Sequence, residues 1–170
     1  MKLTDIYLGE LEREAPASRR VLERVPDGRY GWKPHEKSMP LGYLATLVAT
    51  MPGWIDMMVN QDQLDFAPKE PSGYKPPELR TSRDLIEAFE ASLAKGCAAL
   101  KGTTDEHLMT SWKLLAGGRL VQEQPRYIAI GDGVLNHWAH HRGQLTVYLR
   151  LNDAPVPSVY GPTADERIPG

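Results

Sequence analysis

The sequence predicts an all-α protein, a four-helix bundle with one long crossover connection, and three observations predict it. Apolar residues recur at helical spacing in four long segments. Clusters of Pro and Gly separate those segments. No run of alternating apolar and polar residues suffices for a sheet-based core. At 170 residues the chain reads as one domain, 1–170, long enough to bury a core without staples.

The first helix is expected from about Thr4 to Val25. Leu3, Tyr7, Leu11, Leu22 and Val25 keep to one side, and Pro16 should kink or split it. Pro26-Asp27-Gly28 ends it. After a loop holding Trp32, Pro34 and His35, Ser38 reads as the N-cap of the second helix, with Pro40 in its first turn. Leu44, Leu47, Val48, Met51, Ile55 and Met58 form its stripe, and Pro52-Gly53 should bend it. Gln61 to Arg80 is polar and contains Pro68, Pro71, Pro76 and Pro77. It reads as an irregular connection, a crossover or a lid. Thr81 or Ser82 should cap the third helix, with Asp84 in its first turn. Leu85, Phe89, Leu93 and Leu100 mark its buried face and Gly102 its end. Thr104 to Met109 suits one further helical turn, and Gly117-Gly118 a turn between two short extended pieces. The fourth helix should run from about Pro125 to Leu151, with Ile130, Val134, His137, His141, Leu145 and Tyr148 as its inward stripe.

Charge and composition narrow the function classes. The net charge is −2 and no basic stripe appears, so a nucleic-acid backbone has no electrostatic partner here. The longest uncharged run, Met39 to Ile55, falls short of the ~18 apolar residues of a membrane span. The opening Met1-Lys2-Leu3-Thr4-Asp5 lacks the apolar core of a signal peptide. Cys97 is the single cysteine, which suits a reducing compartment, so a cytoplasmic setting is expected.

His137 and His141 stand four residues apart, one helical turn. Two inward imidazoles at this spacing are able to share one divalent metal, with ring nitrogens about 2.0–2.1 Å from the ion. The other reading is of core histidines that hydrogen-bond to each other or to Gln144. His140 lies about 100° round the helix and should be partly exposed. Trp54, Trp138, Tyr148 and Tyr160 read as core or pocket aromatics, and Arg142 as the partner of an acid in the tail, Asp165 or Glu166.

The block Leu135-Asn136-His137-Trp138-Ala139-His140-His141-Arg142-Gly143-Gln144-Leu145 resembles the signature of the DinB-like superfamily. Thr146 to Arg150, then Pro157 and Tyr160-Gly161-Pro162-Thr163-Ala164-Asp165-Glu166, resemble the way those chains close. Trp32-Lys33-Pro34-His35, Ser38 and Leu44-Ala45 resemble the entry to that superfamily's second helix. The resemblance implies a four-helix bundle of DinB type and a divalent metal, nickel or zinc, held by three histidines. Two of them would be His137 and His141. It also implies homodimers, and activities such as metal-dependent hydrolysis or thiol-dependent transfer.

The chain departs from that pattern at one position. The resemblance places the third histidine at position 47, where this sequence has Leu47. Leucine has no lone pair, and a catalytic zinc site typically needs three protein ligands beside its open position. Thr46, Thr50 and Met51 are poor substitutes, His35 and Glu36 precede the helix, and His107 lies in a separate, exposed connection. A weakened metal site and a non-catalytic bundle, which binds a small apolar ligand or only itself, are therefore both expected outcomes.

Overall fold

The computed structural model describes residues 2–69 and 77–167. Helix α1 spans Leu3–Glu23. Lys2 offers its first turn no side-chain cap. The Asp105 carboxylate, more than a hundred residues away, accepts instead from the backbone N–H of Leu3 (2.9 Å) and Thr4 (3.2 Å) and from the Thr4 hydroxyl (3.3 Å). A negative group there also meets the positive end of the helix dipole. The Leu3 N–H is the largest influence holding the Asp105 carboxyl below the usual carboxylate range, with the Thr4 donors adding to it. Asp105→Asn is therefore expected to lower the thermal midpoint at neutral pH. Because the folded-state pKa is depressed, that stabilisation is present above the unfolded-state value and is lost as pH falls through the folded one. Melting curves of parent and variant should converge in acid.

Pro16 does not split α1. The helix continues through it, because Pro16 and Glu12, whose carbonyl loses its usual amide partner there, both lie on the exposed face.

Helix α2 spans Leu41–Thr50 and starts at Pro40, not at a Ser38 cap. The Leu41 and Gly42 amides donate to the loop carbonyls of Trp32 (2.8 Å) and Tyr30 (2.9 Å). Those carbonyls do the work expected of a serine hydroxyl. The bend at Pro52-Gly53 is a 3₁₀ turn, Met51–Gly53, leading into α3, Trp54–Asn60.

Helix α4, Ser82–Lys101, opens on a capping box in which the Thr81 side chain and Asp84 each accept from the other's backbone. It packs against α1, α2 and α3 at the centre of the molecule. Its approach to the 3₁₀ turn is close. Ser92 Oγ accepts from the Gly53 amide and donates to the Thr50 carbonyl, both at 2.7 Å.

Helix α5, Asp105–Leu108, is followed by a hairpin of β2, Ser111–Ala116, and β3, Arg119–Pro125, around Gly117 and Gly118 at φ 60° and 78°. The crossover was expected to be irregular throughout, yet Gln63–Asp65 form a strand, β1, parallel to β2 with Leu64 opposite Leu114. Asp65 joins the two segments, because its carboxylate accepts from the amides of Gly117 (2.9 Å) and Gly118 (2.6 Å). The expected irregular course around Pro71 and Pro76 lies outside the described residues.

The fourth helical segment has three parts: α6, Arg126–Ile130; a π-helical turn, Gly131–Asn136; and α7, His137–Leu151. With α1, α2–α3 and α4 it closes a four-helix bundle around Leu11, Leu22, Leu44, Phe89, Trp138 and Leu145, with the small sheet beside it. Among the described residues no helix is long and apolar enough to cross a membrane.

Candidate metal centre

The π turn decides which side chains of α7 look inward. A π turn closes hydrogen bonds one residue later than an α turn, so residues beyond it lag by about 100°. Ile130 and Val134 are buried, and the next inward position falls to Trp138 rather than His137. Trp138 is 1% exposed, packs against Phe89, and donates its indole N–H to the Val48 carbonyl of α2 at 2.9 Å. His137 is exposed, contrary to the expectation that both histidines turn into the bundle. His141 is buried, at 7% exposed.

The two rings are nevertheless brought together. Their centroids lie 4.4 Å apart with planes tilted by 40°. Trp54 meets the ring of His137 edge-on, at 6.3 Å between centroids. His140 is exposed, as expected, and 5.2 Å from the ring of His141. Nδ1 of His141 meets Gln144 Oε1 at 2.8 Å. The amide oxygen only accepts, so Nδ1 carries the proton and Nε2 keeps its lone pair. Burial pushes His141 below the ordinary imidazole value; the Gln144 bond opposes this and the neighbouring His137 and His140 add to it. His141 is therefore neutral at pH 7, the state a metal ligand requires.

Two imidazoles that share an ion through bonds of ~2.1 Å place their centroids about 4.6 Å apart at a right angle and about 5.3 Å apart at a tetrahedral angle. The observed 4.4 Å brings the two rings within reach of one ion. The donor count is the obstacle. Among the described residues no three His, Cys, Asp or Glu side chains are grouped to hold a metal ion. Leu47 is half-buried and precedes the residue whose carbonyl receives the Trp138 indole, so it sits beside the crossing of α2 and α7. Thr46 and Thr50 turn their hydroxyls back onto their own helix, to the carbonyls of Gly42 and Thr46, each at 2.8 Å. His35 accepts from the Lys37 amide in an exposed loop. His107 is half-buried rather than exposed, and its Nε2 meets the Val59 carbonyl at 2.8 Å. The end of α3 draws it in, because terminal helix carbonyls need donors. Among the described residues, these do not fit a resident three-histidine centre.

Beside the histidines lies a network that the sequence reading missed. Arg142 is 1% exposed. Its guanidinium pairs with the Glu14 carboxylate of α1, donates to Ser18 Oγ (2.9 Å) and the Glu14 carbonyl (3.2 Å), and meets the Tyr160 hydroxyl. The expected tail acids are engaged elsewhere, Asp165 with Arg150 and Glu166 with Arg20 and Arg24. Arg142 points toward Glu14 and Ser18 of α1, whereas Glu166 is held nearer the C-terminal end of that helix and Asp165 at the C-terminal end of α7. Tyr160 also helps line a cleft of about 220 Å³ between α7 and the tail. A second buried arginine, Arg126, donates to the Met58 (3.0 Å) and Gln61 (2.9 Å) carbonyls at the end of α3. No apolar periodicity signals either residue.

No family model matches the chain. The crystal structure of a DinB-like protein from Bacillus cereus ATCC 10987 superimposes with a TM-score of 0.69 over 91% of this chain and 95% of that one, at 23% identity. This chain has the DinB-like fold. A second DinB-like structure, YjoA from Bacillus subtilis, gives a TM-score of 0.64 over 94% of this chain and 98% of that one, at 19% identity. In sequence, the chain is 26% identical over 162 residues to the uncharacterized protein YrdA of Bacillus subtilis strain 168, covering 95% of this chain and 90% of that protein. The DinB-like fold accounts for the bundle architecture.

Proposed function

We propose that this protein is a DinB-type bundle with a degenerate divalent-metal site, formed by His137 and His141 and lacking the third protein donor. The observation that carries the reading is the ring pair itself, 4.4 Å apart on α7. Nickel or zinc is the expected ion. A metal-dependent hydrolase or a thiol-dependent transferase would be built on three protein ligands around an open position; with two, the site favours binding over either activity.

The test is metal uptake by protein purified without a metal-binding tag, with bound nickel, zinc and manganese measured after equilibrium dialysis. Weak uptake at one site is expected, abolished in both His137→Ala and His141→Ala. Leu47→His should raise the affinity at least about tenfold, the size of even a supporting interaction around a metal. A Leu47→His protein that holds no more metal than its parent places the third donor elsewhere.

Self-association as a homodimer is a second reading. Val147 and Leu151 are exposed one turn apart on α7. Val147→Glu should shift the sedimentation coefficient toward monomer, and an unchanged value removes this reading.

A further inference from the structure

We infer that the cleft between α7 and the tail binds a small neutral carbonyl compound, with an apolar body held between Gly143 and Val159 and one oxygen that accepts from Nε of Arg142. The cleft lies apart from the histidine rings, because Gly143 is two positions beyond His141 and so about 200° round the helix. Its occupancy is independent of any ion at the rings.

Two walls define the space. Ala139, Gly143 and Thr146 stand three or four residues apart on α7 and form the first. A Cβ at Gly143 would meet nothing within 4 Å, so this wall is open at its centre. Val156, Pro157 and Val159 of the tail form the second. That stretch is held in place. The Val156 and Ser158 amides donate to the carboxylates of Asp165 (2.8 Å) and Glu166 (2.9 Å), and Arg20 donates to the Ser158 carbonyl. At about 220 Å³ the cleft is smaller than the ~300–1,000 Å³ of sites for drug-sized ligands, so it suits a molecule of one ring.

The polar groups decide the class. Thr146 Oγ donates to the Gly143 carbonyl (2.7 Å) and Thr163 Oγ to the Val156 carbonyl (2.8 Å), so both hydroxyl protons are used. Arg142 is the one charged residue among the described residues that line the cleft. A guanidinium carries five N–H donors. Nη1 donates to Ser18 Oγ and the Glu14 carbonyl, and Nη2 to the Glu14 carboxylate and the Tyr160 hydroxyl. The fifth donor, on Nε, meets no acceptor among the described residues. A buried donor without an acceptor is costly, and a ligand oxygen removes that cost. The oxygen is a neutral one, because Glu14 already balances Arg142. A carboxylate would enter the cleft with no cation of its own.

Acetophenone is the direct probe. Benzoate serves as its charged counterpart, and 2-phenylpropene, with a methylene in place of the oxygen, as its hydrocarbon one. The full-length ¹⁵N-labelled protein is titrated with each in an NMR experiment. The Gly143 and Val159 amides report occupancy, and the Arg142 Nε–H reports the hydrogen bond. The Nε–H signal is identified by its loss in the double variant Glu14→Ala, Arg142→Met. Acetophenone should move all three signals saturably, benzoate should bind at least tenfold more weakly, and 2-phenylpropene should leave the Nε–H signal in place. Gly143→Leu fills the open wall and should weaken acetophenone binding at least tenfold, with an unchanged circular dichroism spectrum.

The absence of a saturable shift at Gly143 and Val159 would overturn the inference, as would equal binding by the parent and Gly143→Leu. Benzoate that binds as tightly as acetophenone would also overturn it. So would a hydrocarbon that moves the Nε–H signal as far as the ketone does, since Arg142 would then not hold the oxygen. None of these outcomes alters the result of the metal-uptake experiment.

Discussion

Glu14→Ala is expected to destabilise the protein by about 3 kcal/mol, the lower end of the ~3–5 kcal/mol that follows when a buried ion pair loses one partner. The lower end applies because the Glu14 side chain keeps 20% of its exposure while that of Arg142 keeps only 2%. Alanine leaves the guanidinium inside the bundle with Ser18, a carbonyl and Tyr160 but no counter-charge. For a chain of this size, 1 kcal/mol corresponds to about 2–4 °C in thermal midpoint, so calorimetry should record a fall of about 6–12 °C. The double variant Glu14→Ala, Arg142→Met should recover at least half of it, because apolar replacement of a buried pair is often neutral. No recovery would mean that the lost stability lies in the packing of α1 rather than in the stranded charge.

Gly96→Ala and Gly143→Ala should move stability in opposite directions, although both are glycine-to-alanine changes within helices. A Cβ at position 96 would stand 2.4 Å from the Pro52 carbonyl oxygen, backbone that cannot step aside. The cost is about 1–3 kcal/mol, the usual penalty for overpacking. A Cβ at position 143 meets nothing within 4 Å, so alanine there should add about 0.5–1 kcal/mol through better helix propensity. Chemical denaturation of the two variants under the same conditions checks the sign of each. A stable Gly96→Ala protein would show that α4 does not cross the 3₁₀ turn so closely.

The helices were legible because their apolar residues keep a 3.6-residue rhythm and because local chemistry marks their ends, most clearly at Thr81 and Asp84. What stayed hidden depends on distant parts of the chain. Gln63–Asp65 become a strand only because β2 arrives beside them. The first turns of α1 and α2 are satisfied by Asp105 and by loop carbonyls, so inspection of Lys2 or Ser38 could not place their caps. The site was half legible. The spacing of His137 and His141 correctly put the rings side by side, but counting α turns from Ile130 put both of them inside. Arg142 was visible as a charge on a helix, and its partner Glu14 was not, because 128 residues separate them.

The wide turn at Gly131–Asn136 acts as a gear between two stretches of helix. One surplus peptide unit there sets the azimuth of everything up to Leu151. Shortening it by a single residue would pull the indole of Trp138 off its carbonyl and swing the ring of His137 toward Phe89. Which aromatic ring faces water on this protein is thus written in a hexapeptide, Gly-Asp-Gly-Val-Leu-Asn, that contains no aromatic residue at all.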